Sequence, residues 1–310
     1  MKIVFLDQYS ISSCDLTELQ SLGEYRGYEL TATAKEVVER AADAEVIISN
    51  KVVLDEEIIS QLPHLKLICV AATGMNNIDL DAALKFGIEV RNAVGYSTHS
   101  VAEATLSSAL ALYRQVSYFD RYFKSGNYSR SEKLFIFDRP IHQLHGKKWG
   151  IIGLGNIGRE VARLAIAFGC EVAYTSTSGV TRDELYEKKS LKELLSWADV
   201  ISLHSPLNNQ TKGLIGASEF AQMKHSAIII NVSRGGIIDE DALADALNNN
   251  IITGAAIDVF RNEPIEPSSK LLTLNDPDRL LSSTHNAWAA EEAIEALVWS
   301  IIKNIREVMM

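Results

Sequence analysis

Trp149-Gly150-Ile151-Ile152-Gly153-Leu154-Gly155-Asn156-Ile157-Gly158, then a helical stretch, then Glu171-Val172-Ala173-Tyr174-Thr175, is the part of the chain on which the rest depends. Residues 149–152 have the composition of a short buried strand. Gly153, Gly155 and Gly158 stand at the spacing G-x-G-x-x-G. Ile157, Val161, Leu164, Ala165 and Phe168 fall on one helical face, and residues 171–175 read as a second strand. Strand, glycine turn, helix and strand in so short a span is the setting in which this spacing holds a dinucleotide. Gly153 serves the tight turn, and Gly155 has no Cβ to keep a diphosphate from the backbone. Gly158 lets helix and strand pack closely, and the helix N-terminus offers N–H groups to the phosphates.

A carboxylate usually stands at the end of the second strand of such a unit and bonds the ribose hydroxyls. Here that place reads Thr175-Ser176-Thr177-Ser178-Gly179, and the nearest arginine in sequence is Arg182. Loss of the carboxylate removes a charge that repels a 2′-phosphate. NAD(H) or NADP(H) is therefore expected as cofactor, with a slight lean to NADP(H) because of Thr175.

The 310 residues allow about two domains at roughly 150 residues each. A hydrophobic fraction of 47% and a charged fraction of 23% are ordinary for a globular chain. A net charge of −10 disfavours nucleic acid as a partner. No run of apolar residues is long enough to span a membrane, so no membrane partner is expected. Met1 to Asp7 reads as a first strand and not as a signal peptide. Cys14, Cys69 and Cys170 are widely spread and are expected to be buried, reduced thiols of a cytoplasmic protein. His142 and His145 lie three apart with no third ligand in view, so no metal is expected; His64 and His225 read as surface residues.

Strands are expected at residues 2–7, 28–33, 45–49, 67–72 and from 89. Helices are expected near 16–22, 35–42, 55–61 and 80–86. Such alternation argues a parallel sheet with helices on both faces. Residues 97–118 break the rhythm: Ser100-Val101-Ala102-Glu103 has capping-box spacing ahead of a long helix. Residues 120–145 are charged and aromatic without a period and read as an arm. The alternation then resumes, with strands near 149, 171, 200, 228, 254 and 280 and helices at 191–198, 217–223 and 239–248. Residues 288–308 read as one long helix, with apolar positions at 294, 297, 298, 301 and 305.

Three strand ends in the second half carry candidate chemistry. Asn231-Val232-Ser233-Arg234-Gly235-Gly236 puts an arginine in a glycine-rich turn, where it can fork onto a carboxylate. Asp258-Val259-Phe260-Arg261-Asn262-Glu263-Pro264 offers two acids, and Ser283-Thr284-His285-Asn286-Ala287-Trp288 offers a histidine. His204-Ser205-Pro206 ends another strand on the same edge. Hydride transfer to a keto acid needs a proton donor, an acid to orient it and a cation for the carboxylate; His285, Glu263 and Arg234 are the matching types.

These stretches, with Ala72-Thr73-Gly74-Met75-Asn76-Asn77-Ile78-Asp79 and Gly95-Tyr96-Ser97-Thr98, resemble the D-isomer-specific 2-hydroxyacid dehydrogenases over essentially the whole chain. Within that family, Gly95–Thr98, Asn76-Asn77 and Trp288 look most like hydroxypyruvate reductases, also called glycerate dehydrogenases. The resemblance implies two Rossmann-like, doubly wound parallel-sheet α/β domains with a cleft between them. Residues 1–98 with 287–310 would form the substrate domain and 99–286 the dinucleotide domain. It implies Arg234, Glu263 and His285 as catalytic residues, and the backbone at Thr73, Gly74 and Met75 as substrate donors beside Arg234 and His285. The cofactor would be held by Gly153, Gly155, Asn156, Ile157, Gly158, Thr175, His204, Ser205, Pro206, Thr211, Val232, Ser233 and Asp258, with Asp258 on the nicotinamide carboxamide. The implied activity is NAD(P)-dependent reduction of hydroxypyruvate or glyoxylate to D-glycerate or glycolate, and the reverse, by a cytoplasmic homodimer. The alternatives are a D-lactate or broad-range 2-keto acid reductase, or a non-catalytic NAD(H)-sensing protein on the same fold. With the last helix reaching residue 308, an appended regulatory domain is not expected.

Overall fold

The computed structural model describes residues 1–11, 13–179 and 185–309, so Arg182 lies outside the described residues. In chain order the elements are β1 (Lys2–Phe5), α1 (Thr17–Gln20), β2 (Glu24–Gly27), α2 (Ala34–Ala41), β3 (Val46–Ser49), α3 (Glu56–Ile59), β4 (Leu67–Val70), α4 (Leu80–Lys85) and β5 (Glu89–Asn92). Two adjoining helices follow, α5 (Thr98–Arg114) and α6 (Val116–Lys124). Next come β6 (Lys148–Ile152), α7 (Asn156–Ala167), β7 (Glu171–Thr175), β8 (Glu187–Lys188), α8 (Leu191–Trp197), β9 (Val200–Leu203) and α9 (Ala217–Phe220). The chain closes with β10 (Ile228–Asn231), α10 (Glu240–Asn248), β11 (Gly254–Ile257), β12 (Leu280–Ser282) and α11 (Glu291–Met309). It divides into two compact units, Met1–Ser97 with Ala289–Met310, and Thr98–Trp288.

Both sheets are parallel, as the alternation of strand and helix requires. The first unit has the order β2-β1-β3-β4-β5 and the second β12-β11-β10-β9-β6-β7-β8. Parallel strands bonded on both sides are covered on both faces, and their sequences read as unbroken apolar runs. β3, β4, β9 and β10 are buried at every residue. In the first unit Val4, Ile47, Ile68 and Val70 pack with Val37, Ile58 and Ala82 from the helices. α11 turns Ile294, Leu297, Val298, Ile301 and Ile305 inward and packs on β4 of the same unit. In the second unit α5 and α7 cover one face through Ala102, Ala109, Val161 and Ala165, and α8 and α10 cover the other through Leu194, Leu195, Leu243 and Leu247.

Several local expectations fail for tertiary reasons. The second strand is Glu24–Gly27 and not residues 28–33; it pairs Lys2 with Glu24 and Phe5 with Gly27 at the sheet edge. An edge strand needs no apolar run, so its charged sequence hid it, while Leu30 in the expected strand is 65% exposed. The Ser100–Glu103 box does not form, because α5 already begins at Thr98 and the Ser100 hydroxyl donates to the Ala287 carbonyl at 2.6 Å. Phe168 follows α7 and is 43% exposed rather than joining its apolar face. Trp288 precedes α11, and the short strand β8 was not foreseen. Cys14 is half-buried, and only Cys69 and Cys170 are buried. The arm contains α6, whose Arg121 pairs with Asp278. Beyond it, Arg139 forks onto Asp276 at 2.6 and 3.0 Å.

Asp7 lies just after β1 and is 2% exposed. Its carboxylate accepts the N–H groups of Asn50, Lys51 and Val52 at 2.6 to 3.3 Å and so ties the turn after β3 to β1. Burial pushes this carboxyl upward, against the pull of the three donors. Among the described residues no helix is long and apolar enough to cross a membrane. No group of His, Cys, Asp and Glu among them has the makings of a metal site.

Candidate active site

In the second unit the strand order reverses between β6 and β9. Ligands of open parallel sheets bind outside the carboxyl ends at such a reversal. Gly153 follows β6 with φ +93°, in the left-handed region, and an added Cβ would stand 2.3 Å from the Ser205 Oγ. A Cβ on Gly158 would stand 2.4 Å from the Gly153 carbonyl oxygen, so α7 lies directly on the turn. Gly155 differs, since nothing lies within 4 Å of the place its Cβ would take. It is the N-cap of α7 and makes no side-chain cap, which leaves the N-terminus at Asn156 and Ile157 with uncapped donors. An open cradle beside the N-terminus of a 12-residue helix suits the diphosphate of a dinucleotide.

A pocket of about 180 Å³ opens at this edge, with Gly153, Gly155, Ser176, Thr177, Ser178 and His204 on its wall. Thr175 is not on that wall and is 7% exposed. Side chains alternate along a strand, so Tyr174 and Ser176 reach the pocket while Thr175 between them turns inward. The hydroxyl that the sequence places at the strand end thus lies off the pocket wall, and the next one, Ser176, lies on it. The Thr177 hydroxyl donates to the Ser205 Oγ at 3.0 Å, and Ser205 donates to the Ile152 carbonyl at 3.1 Å. Trp149 Nε1–H donates to the Ser202 Oγ at 2.9 Å, and that hydroxyl meets His204 Nε2 at 2.9 Å. Burial pushes the His204 imidazole down to about 3, so it stays neutral on the pocket wall. Thr211 is fully buried and donates to the Pro206 carbonyl at 2.6 Å. It shapes the loop carrying Pro206 and is not open to a ligand. Neither the Trp149–Ser202–His204 chain nor the inward turn of Thr211 has a local signal in the sequence.

The three strand ends singled out earlier lie on β10, β11 and β12, which are neighbours in the sheet. His285 Nδ1 and Glu263 Oε2 are 2.6 Å apart, and the other oxygen of Glu263 accepts the Phe260 N–H at 2.9 Å. His285 sits at φ +55°, an uncommon place for a residue with a Cβ. Its N–H donates to the Asp258 carbonyl at 2.7 Å, and its carbonyl accepts Trp288 Nε1–H at 2.9 Å. The Asp258 carboxylate accepts the Ser283 hydroxyl and the N–H groups of Asn286 and Ala287 at 2.5 to 3.1 Å. Asp258 thus builds the loop that presents His285, a task not visible in sequence. Arg234 is held by its turn: Asn231 Nδ2 donates to its carbonyl at 2.9 Å, and its own Nη1 donates to the Ser233 carbonyl at 2.7 Å. Ser233 in turn bonds the Ser205 carbonyl, and Val232 lies half-buried beside it. A Cβ on Gly235 would stand 1.8 Å from the Phe260 carbonyl oxygen, so the Arg234 turn touches the Phe260–Glu263 segment backbone to backbone.

In the first unit Thr73, Gly74 and Met75 follow β4. The Thr73 hydroxyl donates to the Ala93 carbonyl at 3.0 Å, and Asn92 Nδ2 donates to the Thr73 carbonyl at 2.6 Å. The backbone N–H groups of these three residues make no hydrogen bond among the described residues. A turn with unpaired N–H groups is suited to an anion.

Comparison with known proteins bears on this geometry. Residues 106–287 match the profile described as D-isomer specific 2-hydroxyacid dehydrogenase, NAD binding domain. The chain is 38% identical to the glycerate dehydrogenase of Methylorubrum extorquens, covering 98% of this chain and 95% of that one. It is 34% identical to the hydroxypyruvate reductase of Blautia hydrogenotrophica, covering 99% and 96%. Among solved structures, an acyclic imino acid reductase in complex with NADPH and D-Arg superposes with a TM-score of 0.85 at 26% identity, covering 99% of this chain and 96% of that one.

The two glycines at the head of α7 separate folding from cofactor binding. Gly155→Ala has open space for its Cβ and should melt like the parent while binding a nicotinamide dinucleotide at least about tenfold more weakly, since the methyl occupies the diphosphate's approach. Gly158→Ala must displace the Gly153 carbonyl and should lower the melting temperature by several degrees. Equal melting and equal cofactor affinity in the two variants would refute this division.

Proposed function

The chain belongs to the D-isomer specific 2-hydroxyacid dehydrogenase family, and we propose that it reduces hydroxypyruvate or glyoxylate to D-glycerate or glycolate, and catalyses the reverse. The reading is carried by the 2.6 Å contact between His285 and Glu263 at neighbouring strand ends, in the unit that bears the dinucleotide turn. The nicotinamide cofactor, when bound, supplies the hydride. With Nδ1 facing Glu263, Nε2 is the nitrogen left to carry a transferable proton. In reduction, His285 Nε2–H protonates the alkoxide as it forms at the keto carbon. The Glu263 anion stabilises the imidazolium before transfer and holds the ring in one orientation. Arg234 takes the substrate carboxylate. A panel of hydroxypyruvate, glyoxylate and pyruvate with NADH and with NADPH tests the reading. Failure to turn over any 2-keto acid would sink it, and preference for pyruvate would move the protein to a D-lactate or broad-range reductase.

His285→Gln should lower kcat by about 10² to 10⁴, the usual worth of proton transfer, while changing cofactor affinity by no more than several-fold. Arg234→Ala should raise KM for the keto acid and lower kcat, and Arg234→Lys should recover only part, because an ammonium lacks the planar fork. Near-normal kcat/KM in either Ala or Gln variant contradicts the assigned role.

We propose a slight preference for NADPH. The wall at Ser176–Ser178 supplies hydroxyls and no carboxylate, which removes repulsion of a 2′-phosphate. Ser176→Asp should lower kcat/KM for NADPH far more than for NADH, as a close like-charge contact costs several kcal/mol. Thr175→Asp should act mainly through stability, since its side chain is buried. If Ser176→Asp leaves the ratio of the two cofactors unchanged, the ribose does not meet this wall.

We also propose a homodimer formed through the arm. Phe123, Leu134, Phe135 and Phe137 are 67 to 80% exposed on a segment fixed by ion pairs to Asp276 and Asp278. So many apolar side chains on an anchored segment mark an interaction surface. Light scattering should give about twice the chain mass of 34.2 kDa. Phe135→Asp with Phe137→Asp should halve the measured mass, and a chain that is already monomeric excludes the proposal.

A further inference from the structure

Glu240 opens α10, and neither its position in the sequence nor its exposure marks it for a role at the site. Its carboxylate accepts the backbone N–H of Arg261. The neighbouring N–H, that of Phe260, donates to Glu263 Oε1 at 2.9 Å, and Glu263 Oε2 meets His285 Nδ1 at 2.6 Å. Two successive backbone amides are thus taken by two carboxylates, one on α10 and one in the pair with His285. The same peptide is closed off from a third side, where Gly235 leaves no room for a Cβ against the Phe260 carbonyl and the Arg261 nitrogen.

We propose that Glu240 is a positioning residue: it fixes the Phe260–Arg261 peptide and, through it, the carboxylate that orients His285. The inference rests on the reading of His285 and Glu263 as the proton-transfer pair. The task requires an acceptor oxygen that reaches the Arg261 N–H, and it does not require a charge. A competing role is the favourable effect of an acid at a helix N-terminus. That role is already filled. Asp239 caps α10 by accepting the N–H groups of Asp241 and Ala242 at 3.0 and 3.1 Å, and Asp241 adds a further negative charge in the first turn. The two roles differ in what glutamine does. Glu240→Gln keeps an acceptor oxygen at the same reach but loses the charge, and Glu240→Ala loses both.

The test uses the full chain and three readouts. These are the low-field proton resonance of the His285–Glu263 hydrogen bond, kcat for keto-acid reduction at saturating reduced cofactor, and the melting temperature. Glu240→Ala should move or broaden the resonance and lower kcat about tenfold, because small misplacements of a reacting group cost up to about 10² in rate. Glu240→Gln should restore both. If Glu240→Ala does not fold, Glu240→Ser takes its place, being too short to reach Arg261 and well tolerated at a helix start. The proposal is overturned if the resonance is unmoved in the short variants, whether or not kcat changes. It is equally overturned if Gln and Ala lower the melting temperature alike and neither disturbs the resonance, which is the result of a helix-charge role. A resonance that moves in Ala and returns in Gln while kcat stays constant upholds the positioning of Glu263. That result removes instead the reading of the pair as the proton donor.

Discussion

Two backbone approaches too close for any side chain hold the ligand-facing edge of the second unit together. At Gly158 a Cβ would stand 2.4 Å from the Gly153 carbonyl, and at Gly235 a Cβ would stand 1.8 Å from the Phe260 carbonyl. The first brings the N-terminus of α7 onto the turn after β6, where its donors and partial positive charge converge. The second brings the Arg234 turn against the segment that carries Glu263. A parallel sheet places the ends of its strands about 4.8 Å apart and leaves the loops to do the rest. Here the loops make contact through backbone, which is stiffer than contact through side chains.

The polar groups around these contacts are assigned in layers. Glu263 bonds both the Phe260 N–H and His285, while Asp258 spends its carboxylate on Ser283, Asn286 and Ala287. A histidine in the left-handed region is thereby held from both sides of its own loop. Backbone held in a sparsely populated region persists only where its surroundings over-determine it. The family to which the chain belongs has NAD-linked chemistry in its name, and the cradle at Gly155 fits a nicotinamide dinucleotide. Under the proposed function that chemistry asks of the protein an oriented proton donor and a fixed cation, and the network around His285 and Arg234 holds both side chains in one orientation.

The first unit applies the same economy differently. Its buried Asp7 gathers three N–H groups after β3, and the turn after β4 leaves the N–H groups of Thr73, Gly74 and Met75 unpaired among the described residues. One turn is satisfied internally and the other keeps its donors open, although both lie at the carboxyl edge of neighbouring strands.

Much of this was legible in the sequence, because the signals are local and strong. Apolar runs separated by helical periods determine a parallel α/β sheet, since a strand buried on both faces has no polar alternative. The glycine spacing marks the dinucleotide turn, and the repeat at Ile294, Leu297, Val298, Ile301 and Ile305 marks the inward face of the last helix. Arg234, Glu263 and His285 stood out because each lies in the short stretch that follows an apolar strand. The tertiary structure decided what periodicity cannot carry. An edge strand at Glu24–Gly27 needs no apolar pattern, and the Ser100 hydroxyl is claimed by a carbonyl 187 residues away. The turn of β7 puts Ser176 rather than Thr175 on the pocket wall. Asp258 and Glu240 act on backbone N–H groups, which every residue possesses, so no residue type in the sequence announces the partner. Local pattern determines the elements and the edge where chemistry gathers; which donor meets which acceptor across that edge is settled only when the strands are side by side.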